Sequence, residues 1–237
     1  MKALVLCAGE GTRLGELCRD TPKPLLQVGG RTIVEHIVER LAHAGCTDVW
    51  INLRHMGEQI PPVLGDGARF GVAIHYVWES KARGTAGTVA DLRDLVGDEL
   101  LVHYGDIVTD HGLADLVGAH RKSGAWATML VHERAGSNSV AVLGDDGRVL
   151  AFHERPRAPV DLLGRTPYVF SGLCVLTAAA MAAIPTGLPA DLPADVFPLL
   201  ARTGRLHAQR LAGARVAVDS PERLALARST FAADVTP

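Results

Sequence analysis

The chain has 237 residues, 48% of them hydrophobic, which is enough apolar content for a real core. Its 24 Lys and Arg against 26 Asp and Glu leave a formal net charge of −2, with no run of like charges to follow a polynucleotide backbone, so no nucleic-acid partner is expected. Four cysteines (Cys7, Cys18, Cys46, Cys174) without a C-x-x-C pair argue against both a zinc knuckle and a disulfide framework, and the absence of a leader-like or membrane-length apolar stretch points to a cytoplasmic protein with no membrane partner.

In chain order, Ala3–Ala8 reads as a first strand, followed by a Gly- and Pro-punctuated loop from Gly9 to Pro24. Helical spacing of Ile33, Val34, Ile37, Val38 and Leu41 predicts a helix over Thr32–Ala44, capped by Thr32 and stopped by Gly45. Strands are expected at Val49–Asn52, Ala73–Val77 and Leu100–Tyr104, with helical patterns at Gly57–Leu64 and Thr85–Leu95 between them. This alternation predicts an α/β fold, a Rossmann-like three-layer αβα sandwich whose central sheet is mixed but mostly parallel. After a strand at Ala127–His132, the segments Ser139–Leu143 and Arg148–His153 flank Gly144-Asp145-Asp146-Gly147, a hairpin signal and hence an antiparallel insertion. A loop over Arg155–Pro167, a strand at Val169–Leu176, a helix through Asp195–Ala201, short strands near Leu206–Leu211 and Arg215–Val218, and a helix opened by Ser220-Pro221-Glu222 complete the chain. No repeat or long linker forces a boundary. Residues 1–237 therefore read as one domain, with a nucleotide-binding half to about residue 125 and a second half from about 126.

The strongest local signal is Ala8-Gly9-Glu10-Gly11-Thr12-Arg13 directly after a strand, followed by Thr21-Pro22-Lys23-Pro24. Two glycines let backbone amides approach a polyphosphate, Arg13 adds a fork of donors, and Lys23 adds a point charge. Leu14 stands where a dinucleotide-binding loop needs its third glycine and Asn52 where it needs an acid, which argues against a nicotinamide-dependent dehydrogenase. Tyr104-Gly105-Asp106 leaves the carboxyl end of an apolar strand, where ligands of open α/β sheets bind, and Asp106 there suits Mg²⁺. Glu79, at another strand end and ahead of Gly84-Thr85-Ala86-Gly87, could accept the N–H edge of guanine or uracil. Asp219, in Val218-Asp219-Ser220-Pro221-Glu222, ends a strand and opens a helix, so a capping role competes with a ligating one. The ten histidines show neither metal spacing nor a paired nucleophile.

The combination G-x-G-T-R…P-K-P after an N-terminal strand resembles the sugar-1-phosphate nucleotidyltransferases over nearly the whole chain, nearest to the mannose- or heptose-1-phosphate guanylyltransferase and amino-sugar-1-phosphate uridylyltransferase branches. That resemblance implies transfer of a nucleoside monophosphate from an NTP to a sugar 1-phosphate, with release of pyrophosphate. It also implies that Ala8, Gly9, Gly11, Thr12 and Arg13 wrap the NTP phosphates, that Lys23 meets the α-phosphate, and that Glu79, Gly84 and Thr85 meet the base. Arg13, Lys23 and Asp106 would be catalytic. Asp106 would bind Mg²⁺; many relatives carry the second acid where this chain has Ala217, whereas a pattern similar to G-x-D-T-P-E makes Asp219 the second ligand. On the acceptor side, Phe152-His153-Glu154-Arg155-Pro156 is similar to F-x-E-K-P, with Arg155 in place of lysine, and Ser171-Gly172 falls where relatives line the sugar pocket. GTP is the favoured donor, with UTP and CTP as alternatives, and a monomer or homodimer is expected. The missing acid at position 217 leaves open a catalytically silent nucleotide-binding regulatory module.

Overall fold

The computed structural model describes residues 1–134 and 136–232. Its elements, in chain order, begin with β1 (Lys2–Leu6), β2 (Gln27–Val28), β3 (Arg31–Thr32), α1 (Ile33–His43), β4 (Asp48–Leu53), α2 (Ile60–Leu64) and β5 (Ala73–Trp78). There follow α3 (Gly84–Val96), β6 (Glu99–Tyr104), β7 (Ile107–Thr109), α4 (Leu113–Ser123), β8 (Ala127–Glu133), β9 (Ser139–Leu143), β10 (Val149–Glu154) and β11 (Pro167–Thr177). The chain ends through α5 (Ala178–Ala182), α6 (Phe197–Arg202), β12 (Leu206–Arg210), β13 (Arg215–Ala217) and α7 (Pro221–Thr230). Two compact units can be distinguished, each built from separated stretches. The first comprises residues 1–82, 103–113 and 213–237, and the second 83–102 and 114–212.

In the first unit β1, β4 and β5 lie side by side and parallel, with Leu6 opposite Asn52 and Asn52 opposite Val77. Their central residues, among them Ala3, Leu4, Val5, Val49 and Ile51, are fully buried, which is the near-continuous apolar run that a covered parallel sheet requires. Helix α1 buries Ile33, Val34, Ile37, Val38 and Leu41. It starts at a capping box, in which the Thr32 hydroxyl accepts from the Glu35 amide while the Glu35 carboxylate accepts from the Thr32 amide. Gly45, at φ 83°, follows its end. Ser220 caps α7 by accepting from the Arg223 amide, with Pro221 at the first helical position.

The second unit carries the strand order β10-β9-β11-β8-β12, antiparallel except for the β8–β12 pair. The Gly144–Gly147 turn closes the β9–β10 hairpin through Gly144 N–H to Arg148 O at 2.8 Å. Five elements go beyond the sequence expectations: β2 and β3, which form a small hairpin, β7, α4 and α5. Each is short or weakly patterned. Strand β7 has three residues and gains its partner, β13, only through a contact that spans a hundred positions of chain. The helix expected at Asp195–Ala201 begins as a single wide turn over Leu192–Val196 before α6, because Pro193 and Pro198 each lack an amide donor.

His103, fully buried near Arg40 and Arg215, has its pKa lowered from 6.5 to about 4, chiefly by burial. It folds neutral, whereas the unfolded chain protonates it near its ordinary value. Its contribution to stability is therefore complete above about pH 6.5 and is lost as pH falls toward 4. Denaturant unfolding of the protein and of His103→Gln between pH 7.5 and 4 should show a steeper acid loss for the unmodified chain; parallel pH curves would contradict this.

Candidate active site

The phosphate-loop candidate grows from the end of β1. Gly11 adopts φ 66°, a left-handed conformation that glycine takes without strain, and a side chain there would press on Cys18 Sγ at 3.3 Å. Leu14 and Cys18 are buried and anchor the turn Thr12–Cys18, while Gly9, Glu10, Thr12 and Arg13 stay exposed. Leu14 is thus a packing anchor, which is why it can stand where a dinucleotide loop would need glycine. A side chain near the end of β4 and another just beyond it grip this loop. Asn52 Oδ1 accepts from the Cys7 amide at 2.7 Å, and Arg54 donates from Nε to Ala8 O at 3.3 Å and from Nη2 to Glu10 at 2.7 Å.

Lys23 is held by Pro22 and Pro24, both buried, and by a tight turn in which the Leu25 amide donates to Pro22 O at 2.9 Å. Its ammonium lies 3.1 Å from Asp106 Oδ2, both side chains being only part exposed at 16% and 30%. Gly105 makes this approach possible. Its amide donates to Leu6 O at 2.9 Å, and a methyl in its place would meet that oxygen at 2.6 Å and Cys7 Sγ at 2.7 Å. The same crowding leaves the Cys7 thiol fully buried beside Asp106, with its pKa pushed up by burial first and by that carboxylate second.

Strand β13 brings the C-terminal acid to this point. Ala217 pairs with Ile107, and the Val218 amide donates to Asp106 O at 2.8 Å, so Asp219 sits one residue beyond the partner of Asp106. Arg13 Nη1 contacts Asp219 Oδ2 at 3.4 Å. Arg13, Lys23, Asp106 and Asp219 therefore gather as two cation–carboxylate pairs on adjoining backbone. Ala217, on β13, carries no side-chain oxygen, so Asp219 is the acid that this pairing presents beside Asp106. Among the described residues no group of three or more His, Cys, Asp or Glu is placed to hold a metal ion. Two carboxylates are nevertheless the donor set that Mg²⁺ uses when substrate phosphates and water complete its shell.

Glu79 follows β5. Its amide donates to Leu53 O at 2.9 Å, and its Oε1 accepts from Asn52 Nδ2 at 2.9 Å. Sequence reasoning overlooked Asn52 and Arg54. The available signal was a polar residue at the buried end of an apolar strand, which is costly unless bonded.

In the second unit Gly84, at φ 70°, opens α3 hard against the Ala190 carbonyl, which accepts from the amides of Ala86 and Gly87 at 2.8 and 3.0 Å. Thr85 uses its amide and hydroxyl on the Asp191 carboxylate at 3.2 and 2.9 Å, and its hydroxyl also accepts from the Leu192 amide at 2.8 Å. The carboxylate of Asp191 thus caps α3 from across the chain, where the helix dipole favours an anion. These donors are engaged within the protein, and Asp191 is a second residue that the motif did not reveal.

Glu154 ends β10 and Arg155 follows it. Arg155 stands at φ 45°, rare for a residue with a side chain, with its amide donating to Asn138 O at 2.5 Å and its guanidinium 3.6 Å from Glu154. Glu154 lines a cleft of about 350 Å³ with Phe152, Pro156, Ala194, Pro198 and Arg202. Ser171 is fully buried, its hydroxyl 2.8 Å from His132 Nδ1, and Gly172 takes φ 86° where the β11–β8 register slips.

The parallel β1-β4-β5 sheet with a glycine loop at its strand ends defines an α/β protein of the Rossmann-like class, and comparison with known proteins makes the family specific. Residues 2–214 match the family model described as Nucleotidyl transferase, and the chain belongs to that family. It is 31% identical over 220 residues to a UTP–glucose-1-phosphate uridylyltransferase of Synechocystis sp., covering 86% of this chain and 56% of that protein. It is 30% identical over 229 residues to the mannose-1-phosphate guanylyltransferase catalytic subunit beta of Danio rerio, covering 94% and 62%. The chain thus spans little more than half the length of these curated relatives. Among solved structures, one from Bacillus anthracis assigned as a glucose-1-phosphate thymidylyltransferase superposes with a TM-score of 0.86 at 24% identity, covering 100% of this chain and 97% of that one, which places the fold in the Rossmann-like α/β class.

Burial raises the pKa of the half-buried Glu154 above its ordinary value, with Arg155 opposing and Asp191 reinforcing the shift. A carboxyl with a raised pKa costs nothing while both states are protonated, and its penalty builds as pH rises from the ordinary value through the raised one and is constant above it. Glu154→Gln should therefore melt at a higher temperature than the unmodified protein at pH 7–8, and the two should converge in acid. Equal melting temperatures at all pH values would contradict this.

Proposed function

We propose that the protein catalyses metal-dependent transfer of a nucleoside monophosphate from an NTP to a sugar 1-phosphate, yielding an NDP-sugar and pyrophosphate. The observation that carries this reading is the 3.1 Å pair of Lys23 and Asp106 at the foot of the glycine loop, with Arg13 and Asp219 beside it. The glycine loop offers exposed backbone to the NTP phosphates, and Arg13 steadies the departing pyrophosphate. Lys23 leaves Asp106 to stabilise charge that develops on the α-phosphate. Asp106 and Asp219 are the residues that would hold Mg²⁺, which would supply neutralisation of phosphate charge. Glu154 orients sugar hydroxyls, and Arg155 supplies a guanidinium for the sugar phosphate. The attacking oxygen of that phosphate is already ionised near neutral pH, so no general base is needed and catalysis reduces to positioning and charge.

Guanylyl transfer to a mannose- or heptose-like 1-phosphate is the preferred version. Glu79 is a carboxylate, and so an acceptor that would suit an N–H base edge, as it already accepts from Asn52, and the Danio rerio relative carries a guanylyltransferase name. Uracil presents an N–H to the same carboxylate, and a Synechocystis relative is named for uridylyl transfer, so UTP is the alternative donor. The cytoplasm is the matching setting: the four cysteines are free and buried, and no described helix is long and apolar enough to cross a membrane.

Lys23→Ala and Asp106→Asn should each lower turnover at least about a hundredfold, near the 3 kcal/mol that one electrostatic stabiliser contributes. Pyrophosphate release from a panel of NTPs, with mannose, glucose and heptose 1-phosphates as acceptors, checks this. In a Mg²⁺ titration, Asp219→Ala should shift the metal requirement in the same direction as Asp106→Ala. Near-normal rates in the first two variants would remove the mechanism.

A further inference from the structure

We propose that Asn52 is a positioning residue that sets base selectivity by fixing Glu79 against the root of the phosphate loop. This rests on the reading of Glu79 as the base-contacting carboxylate. Asn52 is 3% exposed in β4, between Leu6 of β1 and Val77 of β5, among Val49, Trp50, Ile51 and Leu53, all buried. A leucine or valine at this position would serve the sheet without the desolvation cost of an amide. The amide instead makes two directed bonds to segments that follow two different strands. Its Oδ1 accepts from the Cys7 N–H at 2.7 Å, two residues before the glycine loop begins at Gly9, and its Nδ2 donates to Glu79 Oε1 at 2.9 Å, one residue after β5 ends.

The two bonds differ in what they demand. The first needs only an acceptor, because the partner is a backbone N–H. The second needs a donor, because the partner is a carboxylate. An aspartate at position 52 satisfies the first and opposes the second by setting one carboxylate against another. A leucine abolishes both and leaves the Cys7 amide buried without this bond. Arg54, just past the end of β4, grips Ala8 and Glu10 independently. The loop therefore keeps a second support when Asn52 is changed to Asp, and the two functions of Asn52 separate experimentally.

The test is equilibrium binding, with MgCl₂ present, of GTP, UTP, dTTP, CTP and inorganic tripolyphosphate to the intact chain and to Asn52→Asp, Asn52→Leu and Glu79→Gln. Thermal melting of each variant runs alongside. Asn52→Asp should bind tripolyphosphate within about twofold of the unmodified protein yet lose about tenfold for the preferred NTP, the cost of one hydrogen bond to a charged group. The spread of affinities among the four NTPs should collapse as it does in Glu79→Gln. Asn52→Leu should weaken tripolyphosphate as well. The proposal is overturned if Asn52→Asp keeps the original spread, if it loses tripolyphosphate and every NTP by one common factor, or if the unmodified protein shows no base preference. Because the readout is binding, a protein that binds NTP selectively but releases no pyrophosphate would refute the transfer reading and still decide the role of Asn52.

Discussion

A lysine and an aspartate, both largely withdrawn from water, face each other at 3.1 Å, and the local structure of the first unit is organised around that contact. Withdrawing charge from water is costly, and a pair in this position contributes little net stability compared with apolar residues of the same size. Its retention at the foot of a glycine loop makes better sense as a poised charge arrangement, one that a phosphoryl group and a divalent cation can enter by partner exchange. Asp219 and Arg13 repeat the pattern nearer to solvent, at 39% and 71% exposure and a longer 3.4 Å.

Several otherwise unrelated sequence choices follow from that contact. Gly105 is required because Asp106 must pass over the end of β1 where no side chain fits. The prolines around Lys23 fix a short turn that aims the ammonium inward. The β7–β13 pair brings residues more than a hundred positions apart into register, so that the C-terminal helix cap and a candidate metal ligand occupy consecutive residues, Ser220 and Asp219. Ser220 caps the helix through its own hydroxyl, which relieves Asp219 of that task.

Much of this was legible in the sequence. The parallel strands announced themselves as short apolar runs, α1 by its 3.6-residue period and its Thr32 cap, and the hairpin by Gly-Asp-Asp-Gly, because these signals are local and each has one cheap conformational solution. The T-P-K-P element and the strand-end Gly105 singled out Lys23 and Asp106 for a similar reason, and the structure brings those two side chains together. Tertiary bonds left weaker traces. Thr85 appeared available to a ligand, yet Asp191, distant in sequence, occupies its amide and hydroxyl. Arg155 was read as the stand-in for a motif lysine, but nothing local announced its positive φ or the bond of its amide to the Asn138 carbonyl. Asn52 was visible only as the absence of an acid, because a buried amide declares its purpose through its partners. The interleaving of two units, with residues 103–113 and 213–237 joining the N-terminal stretch, has no local signature at all.

The central claim is that Lys23 and Asp106 form a phosphoryl-binding charge arrangement rather than a structural ion pair. Exchanging them in the double variant Lys23→Asp/Asp106→Lys, with both single variants as references, tests it most directly through melting temperature and pyrophosphate release measured on the same samples. The account predicts that the exchange regains much of the stability lost by each single variant while turnover remains at least about a hundredfold down, since the cation and the carboxylate would then face the wrong partners. Recovery of turnover together with stability would contradict it.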